Sequence, residues 1–376
     1  MKKIGIITFH SSYNCGSMLQ AFALQNVIKN KYELDSEFIN FVNRGSLNKY
    51  SFYIKNNSLK NIVKNILYFY NFKIKNRQYF GYDKFSIKFL KVSEKKYSHI
   101  SEKSDVENQY DIFISGSDQI WNITCDDADI AYFLPFIKEK RKIAYAPSLG
   151  AKNISKYAKN KNEYRKYLDG YYMLSCREKN GQKWINELTD KKVDLICDPT
   201  LLLTMNDYEK LELKKDYEYD YIFYYSYGYV ENENRIVNEL ANRLNMNVII
   251  FNGKRWCTLH KKYRRFILPV EESPSSFLNV IKNAKLVLTS SFHGTVFATI
   301  YRKKFWVMKN DGMLNGDDRV ETLLEQLGLT NRYIMSADDL DNNKILTEID
   351  YANVEKKIKY MQEKAFNYLN EALNEK

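Results

Sequence analysis

The residues with the most chemical content in this chain stand directly after strand-like stretches. Ser290-Ser291-Phe292-His293-Gly294-Thr295 follows the apolar run Lys285 to Thr289 and opens a helical pattern over 294–301. Backbone N–H groups and the dipole at such a helix start, here at Gly294, favour a phosphate or a carboxylate. Ser290, Ser291 and Thr295 add hydroxyls to the same spot, and His293 can move a proton near neutral pH. The plain alternative is a core histidine satisfied by backbone. With only four histidines in the chain, this setting favours function. A second cluster is Ser115-Gly116-Ser117-Asp118-Gln119-Ile120-Trp121-Asn122, where Gly116 permits a tight turn after a buried run. Asp118 there could accept a sugar hydroxyl and draw off its proton, with Ser117, Gln119 and Asn122 as further hydrogen bonders. Trp121 reads equally well as a stacking platform or as core.

Three further places have the same position relative to a strand. Asn14-Cys15-Gly16-Ser17 forms the first strand-to-helix turn but lacks the glycine spacing of a dinucleotide fingerprint. Arg177 follows the run 172–176 and could clamp a phosphate or carboxylate bidentately, or pair with Glu178. Tyr145 and Ser148 end another strand, where packing is the favoured reading, and Asp198-Pro199-Thr200 reads as a turn between two halves.

The elements that must position these residues come in two series. Strand-like runs at 3–9, 38–42, 110–114, 142–146, 172–176 and 193–197 alternate with helical patterns. The alternation restarts with runs at 221–225, 247–251, 285–289 and 304–308 and helical segments at 231–244, 275–284 and 294–301. This predicts an α/β protein of two Rossmann-like domains, 1–205 and 206–345, facing a cleft. A final helix near 351–373, in the segment 346–376, carries Val354, Ile358, Met361, Ala365, Tyr368 and Leu369 at helical spacing and is expected to pack back across the molecule. Open sheets of this kind bind ligands beyond the carboxyl ends of their strands, where the polar residues named above cluster.

Composition excludes several classes. The net charge of +12 resembles a nucleic-acid signature, but twelve Lys or Arg against Asp83 and Glu94 lie between Lys49 and Tyr97, leaving the remainder near neutral. No nucleic-acid partner is expected. Within that insertion, 49–97, Ser58 caps a predicted helix with Leu59, Ile62, Val63, Ile66, Leu67 and Tyr70 on one face. A solvated surface helix and a patch meeting anionic lipid or a lipid-diphosphate acceptor are both open readings. No run approaches the roughly 20 apolar residues of a membrane-spanning helix, and the apolar start is too short for a signal peptide. Five scattered cysteines without a Cys-x-x-Cys pair suggest a reduced cytosolic setting and no zinc site, with Cys15 read as inert. No Walker loop, metal-ligand cluster or nucleophile elbow is present.

Taken together, Asn14 to Ala21, Ser115 to Asn122, Ala144 to Gly150, Arg177-Glu178, Asp198-Pro199-Thr200 and Ser290 to Gly294 resemble, in order and spacing, the polysaccharide pyruvyl transferase family. The resemblance implies a GT-B-like fold, an acceptor-binding N-terminal domain and a donor-binding C-terminal one. It implies transfer of a pyruvyl group from phosphoenolpyruvate to a sugar diol in bacterial capsular, exo- or cell-wall polysaccharide synthesis, with no obligatory metal or organic cofactor. It further implies catalytic roles for His293, Arg177 and Asp118. Many relatives carry Arg where this chain has Ser291, and Arg319 is the expected replacement. A nucleotide-sugar glycosyltransferase of similar fold and a non-catalytic glycan-assembly protein are the alternatives.

Overall fold

The computed structural model describes residues 2–101, 104–211, 217–309, 313 and 315–374. The first sheet contains β1 (Lys3–Ile7), β2 (Asp35–Phe41), β3 (Val92–Tyr97), β4 (Ile112–Ser115) and β5 (Arg141–Ala144). Its order is β3-β2-β1-β4-β5, and every pairing is parallel. A two-stranded ribbon of β6 (Leu174–Cys176) and β7 (Val193–Leu195) adjoins it through an Ile143–Met173 bridge. The second sheet contains β8 (Tyr221–Tyr225), β9 (Asn247–Ile250), β10 (Phe266–Ile267), β11 (Leu286–Thr289), β12 (Phe305–Met308) and β13 (Tyr333–Ile334), ordered β10-β9-β8-β11-β12-β13 and also parallel. Strands buried on both faces are read as continuous apolar runs, which is why β1, β4, β8 and β11 stood out in sequence. The edge strands β3, β10 and β13 have no counterpart in the sequence pattern. Part of the charged stretch beside the expected boundary at 206, residues 212–216, lies outside the described residues.

The helices that matter for the site are α1 (Cys15–Tyr32), α2 (Leu59–Tyr70), α3 (Phe72–Phe89), α4 (Lys179–Asn186), α5 (Glu231–Arg243), α6 (Gly253–Leu259), α7 (Pro274–Asn283), α8 (Phe292–Ile300), α9 (Arg319–Leu327) and α10 (Tyr351–Leu373). Their starts follow capping chemistry: Asn14 accepts from Ser17 N at 3.1 Å, Ser58 from Asn61 N at 3.2 Å, and Ser273 from Ser276 N at 3.1 Å ahead of Pro274. One apolar core joins α1, α7, α8 and α10 between the facing sheets and runs from Ile4 and Leu19 through Val287 and Phe297 to Leu369 and Leu373. Separate cores fill the outer faces. The two sheets therefore meet along a packed seam. The last helix fastens the seam: Tyr368 Oη donates to Ala144 O at 2.7 Å, and Arg141 donates to Ala372 O at 3.2 Å. Among the described residues, no helix is long and apolar enough to cross a membrane.

Candidate active site

The crevice of a doubly wound sheet opens where strand order reverses, and here the two crevices face one another. The loops leaving β1 and β4 in the first sheet meet those leaving β8 and β11 in the second. Ser290 Oγ donates to Ser226 Oγ at 3.0 Å, and Thr289 Oγ1 donates to Tyr225 O at 2.6 Å, which locks the second pair of loops together. Two helix starts, α1 with cap Asn14 and α8 with cap Ser291, converge here from opposite lobes. The approach is so close that a Cβ at Gly16 would lie 2.1 Å from Nδ1 of His293. Only glycine fits.

Around His293 lies a buried charged cluster. The Arg177 guanidinium has no solvent exposure; NH1 donates to Asp198 Oδ2 at 2.5 Å, and NH2 to Asp118 Oδ1 at 3.3 Å. Its Cζ lies 4.5 Å from the Phe292 ring centre, a contact that spans the seam. Asp118 also accepts from Ser17 Oγ at 2.5 Å and Gln119 N at 2.8 Å. It is held at φ 74°, after Gly116, where a Cβ would lie 2.0 Å from Tyr145 O. A left-handed conformation is costly for a residue with a side chain and persists where its surroundings demand it. Asp198 accepts from Thr200 N at 3.0 Å, and its Oδ2 lies 3.7 Å from His293 Nε2, beyond hydrogen-bond length. Among the described residues, His293 Nε2 and Arg177 Nε are buried without a hydrogen-bond partner.

Burial alone would raise both aspartates, but their partners reverse it. Asp118 falls below the usual carboxylate range because the charges of Arg177 and His293 and the hydrogen bonds from Ser17 and Gln119 outweigh desolvation. Asp198 falls further, through His293, Arg177 and Thr200. Glu178 behaves oppositely. Burial pushes it up to about 7 despite Arg177 and Arg319; Leu149 N donates to its Oε1 at 2.7 Å, and Oε2 has no hydrogen-bond partner among the described residues.

Arg319 reaches this cluster from α9. Its guanidinium binds Asp317 at 2.7 Å through Nε, and the Gln119 amide, oriented to satisfy its neighbours, accepts from Arg319 NH1 at 2.6 Å. Nearby, Asp318 Oδ2 accepts from Asn180 N at 2.9 Å, so a residue of one lobe caps α4 in the other.

The structure thus brings together His293, Asp118, Arg177, Asn14, Gly16, Ser117, Gln119, Ser290, Ser291, Gly294 and Arg319. It does not bring Tyr145 there as a ligand-facing group: the side chain is fully buried, and Oη donates to Cys197 O at 3.2 Å. Thr295 is likewise fully buried, its hydroxyl bonded to Ser291 O at 3.1 Å within its own helix. Asn122 stands at the edge of the cluster, with Nδ2 3.2 Å from the Gln119 side-chain amide and Oδ1 accepting from Thr124 N and Oγ1 at 3.2 and 2.9 Å. Trp121 is core, stacked on Phe133 at 5.0 Å with Nε1 donating to Tyr132 O at 3.2 Å. Cys15 is sealed against Tyr82, and burial raises its thiol far above the ordinary range, so it is inert. The reading of Asp198 as a turn was incomplete: it caps the turn at Thr200 and also binds Arg177. Ser17, which the sequence offers only as part of the first turn, bonds Asp118, and Glu178, offered as an ion-pair partner of Arg177, gives that place to Asp198 and Asp118. Their signal was the same as for the others, a polar residue just beyond a strand or at a helix start.

A cavity of about 310 Å³ adjoins the cluster through Asn14 and Ser291. Tyr13, Tyr50, Tyr79, Tyr82, Tyr225 and Tyr227 line it, with Lys49 and Arg255 contributing charge. Aromatic faces beside hydrogen-bonding groups suit a sugar ring.

Two parallel sheets whose switch points oppose each other across a seam make this a GT-B-like α/β protein. S. aureus MnaA solved with UDP is similar at 12% identity, covering 100% of this chain and 97% of that chain with a TM-score of 0.53. A UDP-N-acetylglucosamine 2-epimerase is similar at 12% identity over 99% of this chain and 95% of that one, with a TM-score of 0.52. Comparison with curated proteins gives no match. The model of the polysaccharide pyruvyl transferase family matches residues 14–312, and the chain belongs to that family.

Proposed function

We propose that the chain transfers the pyruvyl group of phosphoenolpyruvate to two hydroxyls of a sugar, closing a cyclic ketal and releasing phosphate. The observation that carries this reading is the convergence, at one point of the seam, of two helix starts, the buried Arg177, Arg319 and an imidazole. A small polyanion is the ligand such a point fits best. Buried donors without partners at His293 Nε2 and Arg177 Nε support it, because an anion there would satisfy them. Arg319 would supply the charge that Ser291 lacks.

The chemistry assigns the groups their tasks. The methylene carbon of phosphoenolpyruvate must take up a proton before its neighbouring carbon accepts an oxygen, and His293 would donate that proton. Asp118, kept ionised, would orient the first hydroxyl and receive its proton. Phosphate then leaves toward the helix N–H groups and Arg177, where its charge is stabilised. The second hydroxyl adds to the same carbon, its proton departing with the phosphate. In sum, one C–H and two C–O bonds form while the C=C π bond and the C–O bond to phosphate break; one hydroxyl proton ends on phosphate, the other, taken by Asp118, replaces the one His293 gave to the methyl group, and no oxidant is needed. The tyrosine-lined cavity would hold the acceptor. No metal or organic cofactor is required by these steps. The five cysteines are free, which suits the reducing cytoplasm, where we place the reaction, within capsular, exo- or cell-wall polysaccharide synthesis.

The test is incubation of the protein with phosphoenolpyruvate and a panel of free and lipid-linked glycosides, following product mass and free phosphate. A product heavier by pyruvic acid minus water, absent with His293→Ala, is expected. Sugar transfer from a nucleotide donor, without consumption of phosphoenolpyruvate, would overturn the proposal in favour of a glycosyltransferase.

A further inference from the structure

Among the described residues, nothing covers the apolar face of α2. Leu59, Ile62, Val63, Ile66, Phe69 and Tyr70 all face solvent, Leu59 at 82% and Tyr70 at 80% exposure, and they recur at helical spacing along one stripe. The opposite side of the helix is the one that packs: Tyr68 is buried where α2 meets α3 and α6. In a water-soluble helix the stripe would normally point inward. The next helix continues the surface with Phe72 at 49% and Phe80 at 66% exposure. An apolar surface of this extent marks a docking site.

Charge identifies what docks. Lys55, Lys60, Lys73, Arg77, Lys84 and Lys88 are exposed on and around the two helices, in the segment that holds most of the net charge of +12. A helix with an aliphatic and aromatic stripe, flanked by lysines, has the composition of one that lies in the interface of an anionic bilayer. A protein partner for the stripe alone would not need a basic surround of this density. The location adds a functional argument. α3 gives Gln78, Tyr79 and Tyr82 to the tyrosine-lined cavity, and α6, against which α2 packs, gives it Arg255.

We infer that α2 and α3 form a membrane-docking element that seats the protein on an anionic lipid surface and holds the cavity mouth near the headgroup layer. The element inserts its stripe side-on while the lysines meet lipid phosphates. Docking itself is independent of the pyruvyl chemistry; the corollary, that the acceptor arrives on a lipid anchor, rests on the proposed function.

The test is sedimentation of the full-length protein with vesicles of phosphatidylcholine alone and with about one-third phosphatidylglycerol. Binding to the anionic vesicles, weakened by salt, is expected. Ile62→Asp with Ile66→Asp should lower partitioning about tenfold or more, and Lys60→Ala or Lys73→Ala about fivefold for each charge removed. Melting temperature and turnover of a water-soluble acceptor should be unchanged in all of these, so a failure of docking is read separately from a failure of the chemistry. Absence of native binding to anionic vesicles would overturn the inference. Equal binding by the Ile62→Asp, Ile66→Asp variant would do the same, as would a concentration-dependent dimer abolished by that variant, which would assign the stripe to a second copy of the chain.

Discussion

Replacing Gly16 by alanine tests whether the two lobes must touch at His293. The added Cβ would lie 2.1 Å from Nδ1 and 2.3 Å from Cγ of that ring. Ordinary contact begins at 3.4 Å, so the imidazole must retreat from 2.1 to 3.4 Å, a shift of about 1.3 Å. A misplacement on the order of 1 Å costs about 100-fold in rate, whereas overpacking of this kind costs about 1–3 kcal/mol in stability. Turnover should therefore fall steeply while the protein still folds. The assay is phosphate release from phosphoenolpyruvate with an acceptor, alongside calorimetry. Most of the cost should vanish once the imidazole is gone: in the double variant with His293→Ala only the contact with the remaining Cβ, at 2.8 Å, persists, so the two losses should fall well short of additive. Native turnover in Gly16→Ala at an unchanged melting temperature would refute the reasoning, as would full additivity in the double variant.

Arg177→Lys keeps a charge but cannot bridge Asp118 and Asp198 together. A drop in kcat/KM is expected, with a stability loss, measured by denaturant titration, smaller than the about 3–5 kcal/mol that removing the charge altogether, as in Arg177→Met, would cost. Arg319→Ala should raise KM for phosphoenolpyruvate, and adding Ser291→Arg should restore it if the two positions share one task; unchanged KM in the single variant would remove Arg319 from the site. Glu178 and the aspartates pull the pH profile in opposite directions. The raised carboxyl of Glu178 stabilises the fold below its ordinary 4.5, and that contribution declines as pH rises to about 7. Glu178→Gln should flatten the decline in melting temperature over that window. Asp118, depressed, contributes above its unfolded value of about 4 and is lost as pH falls through its lower folded value. Asp118→Asn should therefore blunt acid unfolding as well as turnover.

What could be read from the sequence follows physical lines. Central parallel strands such as Ile4-Gly5-Ile6-Ile7 and Val287-Leu288-Thr289 are buried on both faces and give themselves away as apolar runs. β3, Val-Ser-Glu-Lys-Lys-Tyr, pairs on one side only and keeps three exposed residues, so its pattern reads as loop. The polar residues after strand ends were legible as candidates because the fold sends those ends toward the ligand. Which of them meet was not. Asp198 and Arg177 come from neighbouring strand ends of one lobe, and His293 arrives from the other lobe, so their meeting is set by tertiary packing. Tyr145, favoured as packing, and Trp121, open between platform and core, both prove to be core, because a large polar-tipped aromatic can satisfy its one donor on a carbonyl and vanish into the interior. The α2 stripe was visible as an amphipathic pattern, but periodicity cannot tell an inward face from an outward one.

The hydrogen bonds from Tyr368 to Ala144 and from Arg141 to Ala372 tie the final helix to the first sheet. During synthesis, the apolar layer behind α1 must wait for that helix before it is closed, with Met361, Ala365 and Leu369 among its last contributors. The amino-terminal half cut free of its tail would thus carry a bare greasy face and is expected to associate or aggregate. The halves of this protein are two in architecture but a single unit in assembly.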